Sequence, residues 1–125
     1  MRQSFKKVER LNSKKIIETL FESGRSFTIA PYKVIWIKTD EKQPVQIQVA
    51  FSVPKKNFKH AVDRNKLKRR SREAYRVNKQ LLYDLLGAKK IAVMLVYVAK
   101  EINEYALIEK KINLILKRLI DEVGK

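Results

Sequence analysis

The residues of this chain best suited to chemistry are the cations between Ala61 and Arg76, a stretch that contains neither Gly nor Pro. At 3.6 residues per turn, Arg64, Lys68 and Arg72 fall on one line of a predicted helix. Cations one turn apart repel each other by roughly a few tenths of a kcal/mol per pair. A polyanion would relieve this repulsion, whereas the alternative is a solvated charged face. The predicted binding face comprises Arg64, Asn65, Lys66, Lys68, Arg69, Arg72 and Arg76.

The composition supports a polyanionic partner. The 125 residues carry 29 Lys and Arg against 13 Asp and Glu, a net charge of +16, which predicts attraction to phosphate polymers. The longest apolar run, Ile91 to Ala99, is about half of what a membrane-spanning helix needs. The absence of cysteine excludes disulfides, thiolate metal sites and a cysteine nucleophile. With no signal peptide visible at the N-terminus, we expect a cytoplasmic protein that does not bind membranes.

Hydrophobic periodicity predicts the elements that must position the basic face. Asn12 or Ser13 begins a helix that ends at Gly24, and Leu67, Ala74 and Tyr75 turn the basic helix toward a core. The other predicted elements are β-structure over 27–39, a polar turn at 40–44, an alternating strand over 45–53, a short helix over 81–86, a fully buried strand over 91–99 and an amphipathic helix from 105 to 123. The order predicts an α+β sandwich, α-β-β-(β)-α-β-α, as one domain over residues 1–125.

Residues for stand-alone catalysis are scarce. His60 is the single histidine, so no histidine metal cluster and no Ser-His-Asp triad is available, and we expect His60 to contact solvent or phosphate. The carboxylates show no paired spacing on one face, and three glycines are too few for a phosphate-binding loop. We therefore predict no catalytic and no metal-binding residue in this chain, which favours a binding protein.

The pattern around Asn65 resembles a known family. Ala61, Arg64-Asn65-Lys66, Lys68-Arg69 and Arg72-Glu73 are similar to the signature of the bacterial ribonuclease P protein subunit. The resemblance extends to Ser52-Val53-Pro54-Lys55-Lys56 and to Arg10-Leu11, Phe21 and Gly24-Arg25-Ser26. These segments occur in the family's order over nearly the whole chain.

The resemblance implies a division of labour between protein and RNA. The partners would be the catalytic RNA, which holds the Mg²⁺ ions, and precursor tRNA, whose 5′ leader is removed. The protein alone would be inactive. Its basic helix and the loop lysines Lys55, Lys56 and Lys59 would bind the catalytic RNA, and a cleft would bind the leader. The family fold also implies an unusual left-handed β-α-β crossover.

The leader cleft is where this chain departs from the family. The family carries two phenylalanines on the first helix, and here they correspond to Ile17 and Phe21. The cleft partner on the neighbouring strand, often Tyr, corresponds to Ile35. Tyr32 and Trp36 lie close in sequence and are alternative aromatic platforms, while the simplest alternative makes Ile17 and Phe21 core residues.

Three other functions are compatible with the composition. A ribosomal or general RNA-binding module fits the size and charge but does not account for the spacing around Asn65. A double-stranded DNA-binding protein with this helix in a major groove usually needs a dimer or a helix and turn directly before the helix, whereas here a strand and a loop precede it. We therefore expect no DNA partner. A self-sufficient nuclease is disfavoured because the residues for a metal site and a general base are missing.

Overall fold

The computed structural model describes residues 5–39 and 43–124. A short 3-10 helix, Lys7–Glu9, precedes the regular elements. These are α1 (Lys14–Ser23), β1 (Arg25–Ile29), β2 (Tyr32–Lys38), β3 (Ile47–Ser52), α2 (Ala61–Asn78), α3 (Gln80–Leu86), β4 (Ile91–Tyr97) and α4 (Tyr105–Gly124). The α+β order is the predicted one, with the β-prone segment 27–39 resolved into two strands.

The four strands form one mixed sheet in the order β1-β2-β4-β3. Strands β1 and β2 are an antiparallel hairpin, and β2 also pairs antiparallel with β4. Strands β3 and β4 are parallel, so the chain crosses over through α2 and α3 between them. This is the predicted β-α-β unit; its left-handedness stays a prediction.

The two faces of the sheet are covered unequally. Side chains alternate along a strand, so Tyr32, Val34 and Trp36 of β2 join the larger apolar cluster, while Ile35 packs on the opposite face. The larger cluster is completed by residues of α2, α3 and α4, including the predicted α4 stripe from Ile108 to Val123. Among the described residues, α1 and Leu11 cover the opposite face, which leaves part of that face open.

Strand β4 lies between β2 and β3, and its first five residues are buried. The prediction of a strand buried on both faces is confirmed. The polar turn expected at 40–44 falls mostly outside the described residues, but Gln43 is buried. Its amide donates to the carbonyl oxygens of Val45 and Ile91.

Both predicted ends of α1 are confirmed. Ser13 caps the helix, its Oγ accepting the amide of Ile16 at 3.3 Å. Gly24 ends the helix, since its backbone turns to the extended conformation with φ −67° and ψ 150°. A Cβ at this position would lie 2.5 Å from the carbonyl oxygen of Leu20 and 2.7 Å from Ile35 Cγ2. The absence of a side chain therefore lets α1 lie directly on β2.

Gly87 has a different role at the end of α3. Its φ of 59° lies in the left-handed region that glycine adopts without strain, as expected of a residue that closes a short helix. No helix in residues 5–39 and 43–124 is long and apolar enough to cross a membrane.

Candidate nucleic-acid interface

The outer face of α2 lines a surface groove of about 520 Å³, which we call the basic groove. Five of the seven predicted helix residues border it: Asn65, Lys68, Arg69, Arg72 and Arg76. Phe5, Arg10 and Glu73 complete the lining. The helical spacing thus places a neutral amide among four cations on one surface.

The inner face of α2 explains this orientation. Leu67, Ala74 and Tyr75 are buried, as predicted, and anchor the helix in the larger cluster. Ser71, which the periodicity did not mark as core, is also buried; its Oγ donates to the carbonyl oxygen of Leu67 and shares a hydrogen bond with the Tyr32 hydroxyl. Because this face is fixed to the core, the basic side chains must face outward.

Arg64 departs from the rest of the predicted face. Its Nη1 donates to the carbonyl oxygens of Phe58 at 2.7 Å and Lys59 at 2.9 Å. Arg64 therefore ties the preceding loop to the first turn of α2. Lys66 is half-buried and, like Arg64, does not border the basic groove.

The predicted loop lysines Lys55, Lys56 and Lys59 are all exposed. The amide of Asn57 donates to the carbonyl oxygen of Pro54 at 3.2 Å, and Phe58 is buried, so the loop is held at both ends. His60 is exposed at the start of α2, with no hydrogen bond from its side chain that would cap the helix.

One acidic residue partly neutralises the positive charge of the basic groove. Glu73 accepts hydrogen bonds from Arg76 Nε at 3.0 Å and Nη2 at 2.6 Å. The hydrogen bond from Arg76 lowers the pKa of Glu73, and the same bond raises the pKa of Arg76. Lys68, Arg69 and Arg72 form no ion pair within the described residues, so the excess positive charge lies along the middle of the helix.

The N-terminal segment supplies a side of the basic groove that helical periodicity did not predict, although Arg10 was part of the family resemblance. The ring of Phe5 packs edge-on against Phe51 and Tyr75, with centroids 6.1 and 5.7 Å apart. The guanidinium of Arg10 lies over the Phe5 ring, 5.4 Å from its centroid. A lone aromatic and a lone arginine outside any regular element carry no periodic signal that could have marked them.

A buried ion pair fastens this segment to the junction of α2 and α3. Lys79 Nζ lies 2.6 Å from Glu9 Oε1, and the Tyr83 hydroxyl donates to the same oxygen at 2.8 Å. The Lys6 amide donates to Glu9 Oε2 at 2.7 Å. Burial alone would raise the pKa of Glu9, but the hydrogen bonds from Lys79, Lys6 and Tyr83 together lower it below the ordinary value.

A second candidate surface, the α1 cleft, lies between the C-terminal end of α1 and the open part of the sheet. It is a cavity of about 280 Å³, lined by Leu20, Phe21, Gly24, Ser26, Lys33, Ile35 and Val96. Phe21 is 61% exposed, so the alternative that it is a core residue is wrong. Ile35 is buried beneath it, whereas Ile17 packs half-buried against the smaller cluster and is not part of the lining.

The two aromatic alternatives for this cleft are on the wrong side of the sheet. Tyr32 and Trp36 are each 1% exposed within the larger cluster, because side chains of adjacent strand residues point to opposite faces. Neither can therefore provide the aromatic surface that the family resemblance implies at the position of Ile17. Among the described residues, Phe21 is therefore the single aromatic side chain of the α1 cleft.

Within the described residues, no group of three or more His, Cys, Asp or Glu side chains could hold a metal ion. The basic groove offers cations, an amide and one carboxylate already paired with Arg76. The α1 cleft offers a ring, aliphatic side chains, a hydroxyl and one lysine. These groups are suited to binding phosphates and unstacked bases.

Comparison with known proteins gives a consistent assignment. The family model described as Ribonuclease P matches residues 5–120. Ribonuclease P protein components of Porphyromonas gingivalis and Chlorobium phaeobacteroides are each 34% identical to this chain, over 94% and 93% of it and 87% and 88% of their own lengths.

Solved structures agree with the sequence relatives. The ribonuclease P protein of Thermotoga maritima is 25% identical with a TM-score of 0.70, covering 88% of this chain and 96% of that one. The Staphylococcus aureus protein is 26% identical with a TM-score of 0.68, covering 89% and 94%. The chain therefore belongs to the ribonuclease P protein family, the protein components of an endoribonuclease that matures the 5′ ends of tRNA.

Proposed function

We propose that the basic groove binds the catalytic RNA of ribonuclease P. The observation that carries this proposal is the convergence of Lys68, Arg69 and Arg72 beside Asn65 on one exposed surface. Guanidinium groups make bidentate hydrogen bonds to phosphate, and the Asn65 amide adds a directed contact that a charge alone does not provide. A folded RNA packs phosphates densely enough to occupy several such cations at once.

The exposed loop lysines extend this surface. Lys55, Lys56 and Lys59 lie directly before α2, and Arg64 holds their loop against its first turn. Arg64 then acts chiefly by organising the loop, while the lysines and the helix contact phosphate. Lys66 is a peripheral contact.

The α1 cleft binds the 5′ leader of precursor tRNA in this proposal. The exposed Phe21 ring offers a stacking surface for an unpaired base, above a floor that includes Ile35. Base–aromatic stacking contributes about 1–3 kcal/mol per base. Lys33 is exposed at the cleft and suits a leader phosphate, whereas Ile17 supports α1 from below.

The chemical step belongs to the RNA in this proposal. The described residues do not fit a Mg²⁺ site, since no acidic or histidine cluster is present among them. We assign the Mg²⁺ ions that promote phosphodiester cleavage to the catalytic RNA. The protein's residues bind, neutralise and orient the two RNA molecules.

Reconstitution tests this proposal. Purified protein with Mg²⁺ should not cleave precursor tRNA, and adding a bacterial ribonuclease P RNA at low Mg²⁺ should give cleavage at the 5′ junction beyond that of the RNA alone. Arg72→Gln should weaken assembly with the RNA, and Lys110→Gln, the same loss of charge on the exposed side of α4, is the control. Cleavage by the RNA-free protein, or no stimulation of the RNA, would overturn the proposal.

A further inference from the structure

The basic groove has two sides that come from distant parts of the chain. One side is α2, and the other is the N-terminal segment 5–11, which places Phe5 and Arg10 along the groove. Arg10 forms a bridge with Val49 at the edge of β3, and the Leu11 amide donates to the Val49 carbonyl oxygen at 3.0 Å. The segment thus lies against the sheet edge with a cation facing the basic helix.

The fastening of this segment is of an unusual kind. Glu9 and Lys79 form a salt bridge whose side chains are only 9% and 8% exposed. Removing two charges from water costs several kcal/mol per ion, so a buried pair adds little net stability compared with apolar residues of the same shape. What such a pair does supply is one defined position, because Glu9 is also held by Tyr83 and by the Lys6 amide.

The position it defines places Arg10 on the same surface as the cations of α2. Arg10 lines the same groove as Lys68, Arg69 and Arg72, and like charges that share a surface repel. Arg10 forms no ion pair within the described residues; it packs on the Phe5 ring and its Nη2 reaches the Phe5 carbonyl oxygen at 3.4 Å. A phosphate chain lying between the two sides would turn this repulsion into attraction.

We propose that residues 5–11 form a second wall of the RNA-binding groove, in which Arg10 contacts an RNA phosphate and Glu9 and Lys79 are positioning residues. This inference rests on the proposed role of α2 in binding the catalytic RNA. In this arrangement the RNA backbone is contacted from two sides, by α2 and by residues 5–11, and the buried ion pair fixes the position of residues 5–11. Phe5 supports the Arg10 guanidinium from beneath.

Substitution of Glu9 allows a test in which the positioning role and the change of charge predict opposite changes in RNA affinity. Glu9→Gln raises the net charge of the protein by one, so a charge effect alone predicts tighter RNA binding. The positioning role predicts weaker binding, because Arg10 is no longer held at the groove. We expect Arg10→Gln and Glu9→Gln each to lower affinity for a bacterial ribonuclease P RNA by about tenfold, the size of one charge-assisted hydrogen bond.

Salt dependence and a double variant complete the experiment. Each single variant should lower the slope of log affinity against log salt by about 0.7–0.9, the value for one lost phosphate contact. The Glu9→Gln/Arg10→Gln double variant should bind no more weakly than the weaker single variant, since both changes remove the same contact. Melting temperatures are measured for all variants, and Tyr83→Phe, which removes one hydrogen bond to Glu9, replaces Glu9→Gln if that variant does not fold.

The outcomes distinguish the role of residues 5–11 from the proposed role of α2 in binding the catalytic RNA. Tighter binding by Glu9→Gln, or additive losses in the double variant, would overturn the positioning role. Normal affinity of Arg10→Gln while Arg72→Gln binds weakly would remove the second wall and leave the proposed function intact. Normal affinity of Arg72→Gln would instead remove the proposed function itself, and Lys110→Gln serves as the charge control throughout.

Discussion

The basic groove and the α1 cleft lie on different parts of the molecule and are built on opposite principles. The basic groove presents charges that need no burial, and most of its residues come from one helix. The α1 cleft is lined mostly by apolar residues, and it combines side chains of α1, β1, β2 and β4. A charged surface therefore depends on local helical spacing, whereas an apolar cleft depends on how a helix is placed over a sheet.

The two surfaces should also differ in how they bind RNA if the proposed function is correct. In the proposed function, the basic groove binds several phosphates through charge, so its affinity for RNA should depend on counterions. In the same proposal, the α1 cleft binds the leader mainly by stacking on one exposed ring, which does not release counterions, with Lys33 as its single cation. Experiments that change the salt concentration, the Phe21 ring and the Asn65 amide one at a time can therefore separate the contributions of the two surfaces.

The largest expected effect is that of salt on binding to the catalytic RNA. If the basic groove and the loop lysines engage about six to ten phosphates, affinity should fall roughly 10³- to 10⁵-fold between 50 and 200 mM monovalent salt. The extra affinity that a leader gives precursor tRNA over mature tRNA should change far less over the same range. A nearly flat salt dependence for the catalytic RNA would show that charge does not drive binding in the groove.

Neighbouring residues of α1 should separate stability from leader binding. Leu20 is 1% exposed, so Leu20→Ala should cost about 2–5 kcal/mol of unfolding free energy. Phe21 is 61% exposed, so Phe21→Ala should leave the melting temperature nearly unchanged. It should instead weaken binding of precursor tRNA by about 1–3 kcal/mol, with mature tRNA little affected.

Thermal melting and paired binding assays with precursor and mature tRNA measure both effects. A large loss of stability in Phe21→Ala would contradict the exposed position of its ring. Equal binding of the leader by Phe21→Ala and the unaltered protein would remove the α1 cleft from leader recognition.

A smaller effect is expected for Asn65, which can add a directed hydrogen bond to the charge of the basic groove. Asn65→Ala leaves the net charge unchanged but removes the amide, so affinity for the catalytic RNA should fall by about three- to tenfold. Lys110→Gln removes a charge outside the groove and should change affinity less. Lys90 is unsuitable as the control, because its Nζ donates to the Gln43 carbonyl oxygen. Equal effects at Asn65 and Lys110 would favour an undirected basic face.

The smallest expected effect is the pH dependence of stability that arises from Glu9 in the N-terminal segment 5–11. The pKa of Glu9 is below its ordinary value of 4.5 in the folded protein, so its carboxylate stabilises the fold above that pH. This contribution is lost as the pH falls through the folded pKa. Glu9→Gln should therefore melt at a lower temperature than the unaltered protein at neutral pH, and the difference should shrink in acid.

Glu73→Gln is the matched control for this pH series. Glu73 also has a lowered pKa, but its pair with Arg76 is exposed on the surface, and exposed pairs contribute little to stability. Its melting temperature should follow that of the unaltered protein at every pH. A difference between Glu9→Gln and the unaltered protein that did not change with pH would show that the Glu9 carboxylate is not the stabilising group.

The sequence by itself determined the elements and most of the basic face. Periodicity gave α2 its buried side at Leu67, Ala74 and Tyr75, and that side alone places Lys68 and Arg72 outward. Strand β4 followed from an unbroken apolar run in the same way. These features depend on residues a few positions apart, for which helix and strand geometry fixes the relative directions of side chains.

The tertiary structure decided what depends on distant residues. It made Gln43 a buried donor to the strands, turned Trp36 away from the cleft, exposed Phe21 while burying Leu20, and brought Glu9 to Lys79 across 70 positions of sequence. Alternation along a strand sets two faces apart but does not say which face a helix will cover. A buried ion pair between remote segments has no periodic pattern, so only the packed fold shows that Arg10 completes the basic groove.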